Sequence, residues 1–141
     1  MKESRHTIQN TIIYEKVQAM HNHPTADDIY QEIKKDYPHI SKGTVYRNLN
    51  RLAAEGEITR IKVPNDADRY DYQIHFHHHL KCNVCGRIID VEIKNKENVL
   101  NTVVNNDEFL IESYQILFSG KCNNCLNTRK TNYLKSIYKM N

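Results

Sequence analysis

At 141 residues, 39% apolar and 26% charged, the chain has room for one medium domain or two small ones, and its composition is that of an ordinary globular protein. No apolar run approaches a membrane span, and Met1 leads into KESRH with no signal-peptide core, so a cytoplasmic protein is expected. The formal charge of +3 is too small to assign a nucleic-acid partner by itself. Residues 1–72 hold eleven Lys plus Arg against eleven Asp plus Glu, so any case for DNA rests on where the charges sit.

In RHTIQNTIIYEKVQAM, residues 5–20, the apolar positions Ile8, Ile12, Ile13, Val17 and Met20 recur at the 3.6-residue spacing of an amphipathic helix. A second helix follows in TADDIYQEIKKDY. Thr25 is its N-cap, Asp28 three residues on closes a capping box, Ile29, Ile33 and Tyr37 form the buried stripe, and Pro38 ends it. His23 stands on the loop before that cap. The third helix starts at Ser41, and Val45, Leu49, Leu52 and Ala53 make its single apolar stripe. Its other faces carry Lys42, Thr44, Tyr46, Arg47, Asn50 and Arg51, with no acid before Glu55. Such a cation-rich outward face behind a short turn has the layout of a helix-turn-helix recognition helix. Tyr46 suits apolar contact with a thymine methyl, and Arg47 a base edge or nearby phosphate.

Beyond Gly56, EITRIKV alternates through Ile58, Arg60 or Ile61, and Val63, turns at PNDAD and returns as Arg69, Tyr70, Asp71 and Tyr72. Two strands behind three helices predict a winged helix, in which Lys62 and Arg69 would reach phosphates. The chain changes character at about 72–76, so we expect a winged-helix domain over 1–73 and a second domain over 74–141.

The second domain opens with HFHHHLKCNVCGRIID, which sets four histidines, two cysteines and an aspartate within residues 75–90. On a strand, His77 and His79 leave the same face while Phe76 and His78 face the other way. Cys82 and Cys85 have the two-residue gap that lets both sulfurs of a tight turn reach one zinc, and Gly86 suits the turn. Asp90, on the returning strand, can come back beside the histidines. One hairpin would then serve two metals, one through thiolates and one through nitrogen and oxygen. A second pair, Cys122 and Cys125, follows the first after thirty-six residues. In a reducing compartment the two pairs predict a single four-cysteine zinc site, not disulfides. With no open position for water at such a zinc, hydrolytic chemistry is not expected. Past Asp90 the strand should continue through Val91 and Ile93. A helix over KENVLNTVVNND should bury Val99, Leu100, Val103 and Val104, FLIESYQILFSGKC should be a strand, and Tyr133, Leu134, Ile137 and Tyr138 should pack as a short helix.

The motifs HPTADDIY at 23–30, TVYRNL at 44–49, RYDY at 69–72, HxH before CxxCG, and the late CxxC together resemble the ferric uptake regulator (Fur) family of bacterial metal-dependent repressors over nearly the whole chain. The resemblance implies an α+β protein: an N-terminal winged helix-turn-helix domain, then a small α/β dimerisation domain with the four-cysteine zinc. It implies a regulatory Fe²⁺ or Mn²⁺ site formed by His23, Asp71, His77, His79 and Asp90, whose imidazoles and carboxylates suit those ions. The expected partners are double-stranded operator DNA and a second copy of the chain, with no small-molecule substrate apart from metal ions and H₂O₂.

Asp at position 71 is similar to the peroxide-sensing branch, whereas the iron-uptake branch prefers Glu there. The resemblance therefore implies a repressor of peroxide-stress genes, inactivated by iron-catalysed oxidation of ligand histidines, with His23 and His77 as the candidates. The alternative is an iron-, zinc- or manganese-uptake regulator, toward which Arg47 leans because it looks more like the iron-uptake branch. A further histidine-based site of the family falls on Phe76 and Tyr114 and is not expected here. The family's extra helix ahead of RHTIQ is also not expected. His75 and His78 remain open as additional ligands.

Overall fold

The computed structural model describes residues 5–93, 99–105 and 107–127. The chain divides into two compact units, Met1–Phe76 and His77–Asn141.

In the first unit, helix α1 (Arg5–Ala19) buries Ile13 and Val17, four residues apart, at zero exposure, while Ile8 near its start stays 47% exposed. Helix α2 (Ala26–Asp36) opens with the expected capping box. Thr25 Oγ1 accepts from the Asp28 N–H at 3.1 Å, and Asp28 Oδ2 accepts from the Thr25 N–H at 3.0 Å. Asp27 and Asp28 in its first turn and Lys34 and Lys35 in its last complement the helix dipole. Ile29 and Ile33 are buried, but Tyr37 is not: it is the C-cap and is exposed. Pro38 bars the helical conformation at the preceding residue, which carries Tyr37 off the apolar face.

Helix α3 (Lys42–Ala54) is capped by Ser41, whose Oγ accepts from the Thr44 N–H at 3.1 Å. Val45, Leu49 and Leu52 are fully buried. The helix stops in a Schellman arrangement: Gly56 at φ +73° donates to the Ala53 carbonyl and Glu57 to the Leu52 carbonyl. A positive φ of this kind is why glycine stands there. The wing is an antiparallel pair, β1 (Thr59–Ile61) and β2 (Arg69–Asp71), with Arg60 opposite Tyr70. Ile58, Ile61 and Val63 face inward, so Ile61 and not Arg60 is the buried member of β1. A Thr25 to Arg69 bridge and the Tyr70 N–H on the Pro24 carbonyl at 2.8 Å add the loop before α2 to the wing's edge. One core runs through Ile13, Val17, Ile29, Ile33, Val45, Leu49, Leu52, Ile58 and Tyr70.

The second unit is a three-stranded sheet ordered β4-β3-β5. Its centre β3 (His78–Cys82) runs antiparallel to β4 (Ile88–Val91) and parallel to β5 (Leu117–Gly120). The Cys82 to Gly86 turn closes with the Gly86 N–H on the Cys82 carbonyl at 2.9 Å and Gly86 at φ +78°.

Here the sequence patterns overreached. The ladder ends at Val91, short of Ile93, and the strand expected over 109–122 is only four residues long. Of the helix expected over KENVLNTVVNND, the described residues form a 3₁₀ turn, Val99–Thr102. Val99, Leu100 and Val103 are half-covered and Val104 is 97% exposed, while residues 94–98 and 106 lie outside the described set. Short helices depend on packing of their apolar face, and among the described residues none of this stripe is fully buried. A strand likewise extends only as far as a neighbour takes up its N–H and C=O groups. The expected helix around Tyr133–Tyr138 also lies outside the described residues.

Since Leu49 is enclosed on every side, Leu49→Ala should cost about 2–5 kcal/mol, read as a lower urea midpoint.

Candidate metal centres and nucleic-acid interface

Cys82 ends β3 and Cys85 sits in the turn that follows. Cys122 comes two residues after β5 and caps α4 (Asn123–Leu126), a single helical turn that carries Cys125. Because β5 pairs in parallel with β3 so that Gly120 lies beside Cys82, the second CxxC arrives next to the first. All four sulfurs lie within 4.8 Å of one another, with Cys82 and Cys122 buried. Cys85 Sγ and Cys122 Sγ are 3.7 Å apart. That is close to the edge of a tetrahedron of sulfurs about 2.3 Å from a central Zn²⁺, roughly 3.8 Å, and far from a disulfide bond.

Three of these thiols are shifted in different directions. Backbone N–H groups of Cys85 and Cys122 hold the Cys82 thiol down at about 5, against the pull of burial. The Cys122 N–H reaches the Cys82 sulfur at 3.4 Å. Cys122 is also lowered, first by the backbone of Cys125, whereas burial and the neighbouring sulfurs push Cys125 up to about 12. Four adjacent sulfurs can all become thiolates only around a cation that neutralises them, and a divalent thiophile fits the donor set.

A second chemistry occupies the same hairpin. His79 lies directly opposite Asp90 across the β3 to β4 ladder. His77 Nε2 and His79 Nε2 approach the same oxygen, Asp90 Oδ1, at 3.1 Å and 3.3 Å, with the two rings 4.4 Å apart. His77 itself precedes the strand, which begins at His78. His79 is buried and Asp90 exposed. Burial lowers the pKa of the intervening His78, aided by His77 and His79 on either side, which favours its neutral ring.

The first unit contains a matching pair. His23 Nε2 is 3.3 Å from Asp71 Oδ2, and the two residues are 8% and 2% exposed. Spacings near 3 Å are those of adjacent donors on a six-coordinate divalent ion with bonds of about 2.1 Å. Both sets therefore have the donor types and the reach for a nitrogen and oxygen site.

His23 is held there at a conformational cost. Its φ is +53° immediately before Pro24, a region that costs a non-glycine residue about 1–3 kcal/mol and persists only where neighbours over-determine it. Arg69 Nη1 donates to the His23 carbonyl at 3.2 Å, and the Tyr70 N–H holds Pro24. Asp71 Oδ1 accepts from the Gln73 N–H at 2.9 Å, which turns the other oxygen toward His23. Neither Arg69 nor Gln73 was singled out for this support by sequence. Aspartate two residues before an accepted N–H is a common Asx turn, the one local signal for it.

The exposed side of α3 carries Lys42, Tyr46, Arg47, Asn50 and Arg51, with Thr44 half-covered and Lys62 exposed on the wing. Lys42 Nζ pairs with Asp27 Oδ1 at 3.0 Å, which raises its pKa, and lies over the Tyr46 ring at 5.6 Å. Arg47 donates to Thr44 Oγ1 at 3.3 Å, and Arg51 to Oδ1 of Asn48 at 2.6 Å. Asn48 is buried and anchored by its own amide on the Thr44 carbonyl at 2.8 Å. The sequence reading missed Asn48, because a polar residue inside an apolar stripe looks like an interruption until its partners are known.

A three-helix winged unit joined in sequence to a ligand-bearing hairpin defines a class of metal-responsive regulators. The pattern of the ferric uptake regulator family matches residues 2–119, and the chain belongs to that family. The peroxide-responsive repressor PerR of Staphylococcus saprophyticus is 31% identical over 121 residues, 86% of this chain and 82% of that protein. Among solved structures, the Campylobacter jejuni peroxide stress regulator shares 31% identity at a TM-score of 0.67, covering 86% of this chain and 91% of that one. The Helicobacter pylori ferric uptake regulator Fur, whose structure reveals three functional metal binding sites, shares 25% at a TM-score of 0.72, covering 92% and 85%.

Replacing Cys122 by Ser removes one of four convergent sulfurs and leaves the others without a complete site. The variant should lose zinc by elemental analysis and unfold near room temperature, and a stable zinc-free variant would exclude a structural metal here.

Proposed function

We propose that the chain is a homodimeric, Fe²⁺- or Mn²⁺-dependent repressor of peroxide-stress genes, in which one regulatory ion is shared by His23, Asp71, His77, His79 and Asp90. The observation that carries this reading is the pair of matching half-sets. Each presents imidazole Nε2 atoms 3.1–3.3 Å from a carboxylate oxygen, and neither alone completes a coordination shell. One ion taking both would tie the winged helix to the hairpin module and favour a single angle between them. In a dimer that angle sets the spacing of two α3 helices, which must match half-sites lying whole turns apart on the duplex. Metal and operator would then be ligands of one conformer, each tightening the other by the same factor.

Zinc would be held by Cys82, Cys85, Cys122 and Cys125 in a closed structural site. A second copy is supported by the apolar surface that the hairpin module leaves uncovered, with Val104 97% and Leu110 84% exposed. Lys42, Thr44, Tyr46, Arg47, Asn50 and Arg51 would meet the operator, with Lys62 on a flanking phosphate.

Peroxide sensing is favoured over iron uptake by Asp at position 71 and by the similarity to the peroxide-responsive repressors. Bound Fe²⁺ supplies reducing chemistry toward H₂O₂ that Mn²⁺ does not. The residues placed to receive an oxygen atom are the rings of His23 and His77, each within 3.3 Å of a carboxylate that would share the ion. An oxidised imidazole is a poor ligand, so the link opens and affinity for the operator falls.

Removing the His23 ring should leave zinc content and dimer mass unchanged and abolish Mn²⁺-dependent operator binding in a gel-shift titration. Wild-type affinity of His23→Ala with Mn²⁺ would sink the shared-ion reading. Brief exposure of the Fe²⁺-loaded protein to H₂O₂ should add one oxygen to peptides containing His23 or His77 by mass spectrometry, while the Mn²⁺-loaded protein stays unmodified. Unmodified histidines in both forms would favour a metal-uptake regulator instead.

A further inference from the structure

Resting on the reading of His23 and Asp71 as ligands of the regulatory ion, we propose that Arg69 is a positioning residue of that site and not a phosphate contact. It holds His23 in the backbone conformation that presents its ring to Asp71, and thereby sets the affinity for Fe²⁺ or Mn²⁺.

Arg69 and Asp71 stand two apart on β2, so they leave the strand on one side while Tyr70 between them takes the other. His23 meets both. Its ring Nε2 lies 3.3 Å from Asp71 Oδ2, and its carbonyl accepts from Arg69 Nη1 at 3.2 Å, across 46 positions of the chain. The backbone of β2 secures the residues that follow, through the Tyr70 N–H on the Pro24 carbonyl at 2.8 Å and the bridge from Thr25 to Arg69. Arg69 is half-buried at the base of the wing with a donor on this loop, whereas residues 64–67 at the wing tip are exposed.

The backbone is what calls for such a support. At φ +53° His23 occupies the left-handed region, where the Cβ of an L-residue is crowded and which the ring of Pro24 restricts further. Glycine would adopt it freely but brings no imidazole, so a histidine ligand at this point needs an external clamp. The Arg69 bond fixes the plane of the peptide between His23 and Pro24. Without it that plane can turn, φ can return to the ordinary negative region, and the Cβ then carries the ring away from Asp71. A guanidinium suits the task because it stays charged and offers only donors, so it holds a carbonyl at any pH at which the ligands bind metal.

Two kinds of measurement on the full-length, zinc-containing protein test this. With the regulatory site free of metal, the wild type should show at His23 the strong intraresidue HN–Hα nuclear Overhauser cross-peak that marks a positive φ. That peak should be retained in Arg69→Lys and weakened in Arg69→Met. In calorimetric titration with Mn²⁺, Arg69→Met should bind roughly tenfold more weakly than the wild type, the consequence of losing one hydrogen bond from a charged donor. His23→Ala, which removes the ligand itself, should bind more weakly still. Zinc content should not change in Arg69→Met, and at saturating Mn²⁺ the variant should bind a promoter duplex selected by the wild type with the wild-type dependence on salt.

Unchanged Mn²⁺ affinity in Arg69→Met, with His23→Ala impaired, would overturn the proposal and leave the shared-ion reading standing. A salt slope smaller by about one in Arg69→Met would make Arg69 a phosphate contact and also overturn it. If His23→Ala binds Mn²⁺ as the wild type does, the shared-ion reading falls, and this inference with it. Should Arg69→Met fail to fold, as a thermal scan would show, the wild type still decides the matter: a weak His23 cross-peak in the metal-free protein would overturn the proposal.

Discussion

The pairing of β3 with both of its neighbours is the constraint on which the chemistry of the hairpin module depends. One strand, five residues long, is antiparallel to β4 on one side and parallel to β5 on the other. The antiparallel register sets Asp90 across from His79, and the parallel register sets Gly120 beside Cys82, so that Cys122 arrives within reach of Cys85. A slip of one residue in either ladder would turn every side chain to the opposite face and dismantle one of the two donor sets. Oxygen and nitrogen donors gather toward the start of β3 and sulfur donors at its end. The strand therefore keeps a hard and a soft set of ligands apart, and different metals can be accepted by each without competition for the same atoms.

The winged unit obeys a different physics. Its helices are placed by an ordinary apolar core, and its exposed side is held by polar contacts that each restrain a specific side chain. Arg51 rests on the buried Asn48, Lys42 on Asp27, and Asn50 on Arg60. The Lys42–Asp27 ion pair is half-exposed on both sides and adds little to stability. The effect of these contacts is to narrow the rotamers available on α3, so that less conformational entropy remains to be lost when a partner is bound. The strained His23 belongs to the same pattern, since the wing's hydrogen bonds hold its backbone in a conformation that no local preference would choose.

Much of this was legible in the chain itself where a residue's role depends on its near neighbours. Thr25 with Asp28, Ser41 with Thr44, and the Ile29 and Ile33 stripe act within one helical turn, and all behave as the spacing indicated. The two CxxC pairs announced a metal because a two-residue gap lets both sulfurs of a turn reach one ion, and the four sulfurs do converge. The failures came where a residue's fate depends on what lies opposite. Tyr37 continued the stripe on paper but left it because Pro38 changed its backbone. Val99 to Val104 had helical spacing, yet among the described residues only Val99–Thr102 forms a 3₁₀ turn, and residues 109–116 had strand composition but pair with no described strand.

The grouping of His23 and Asp71 with the hairpin's histidines came from the family resemblance. By itself the sequence determined the three helices, the caps of the second and third, the wing, the hairpin and the two CxxC pairs. These follow from spacing, capping and side-chain chemistry, which act over a few residues. Only the tertiary structure decided which Asp90 oxygen the histidines share, how Arg69 holds the His23 carbonyl, and that Ile61 rather than Arg60 enters the core. Each of those depends on strand register or on contacts between residues distant in the chain, and no local periodicity encodes a partner that lies forty residues away.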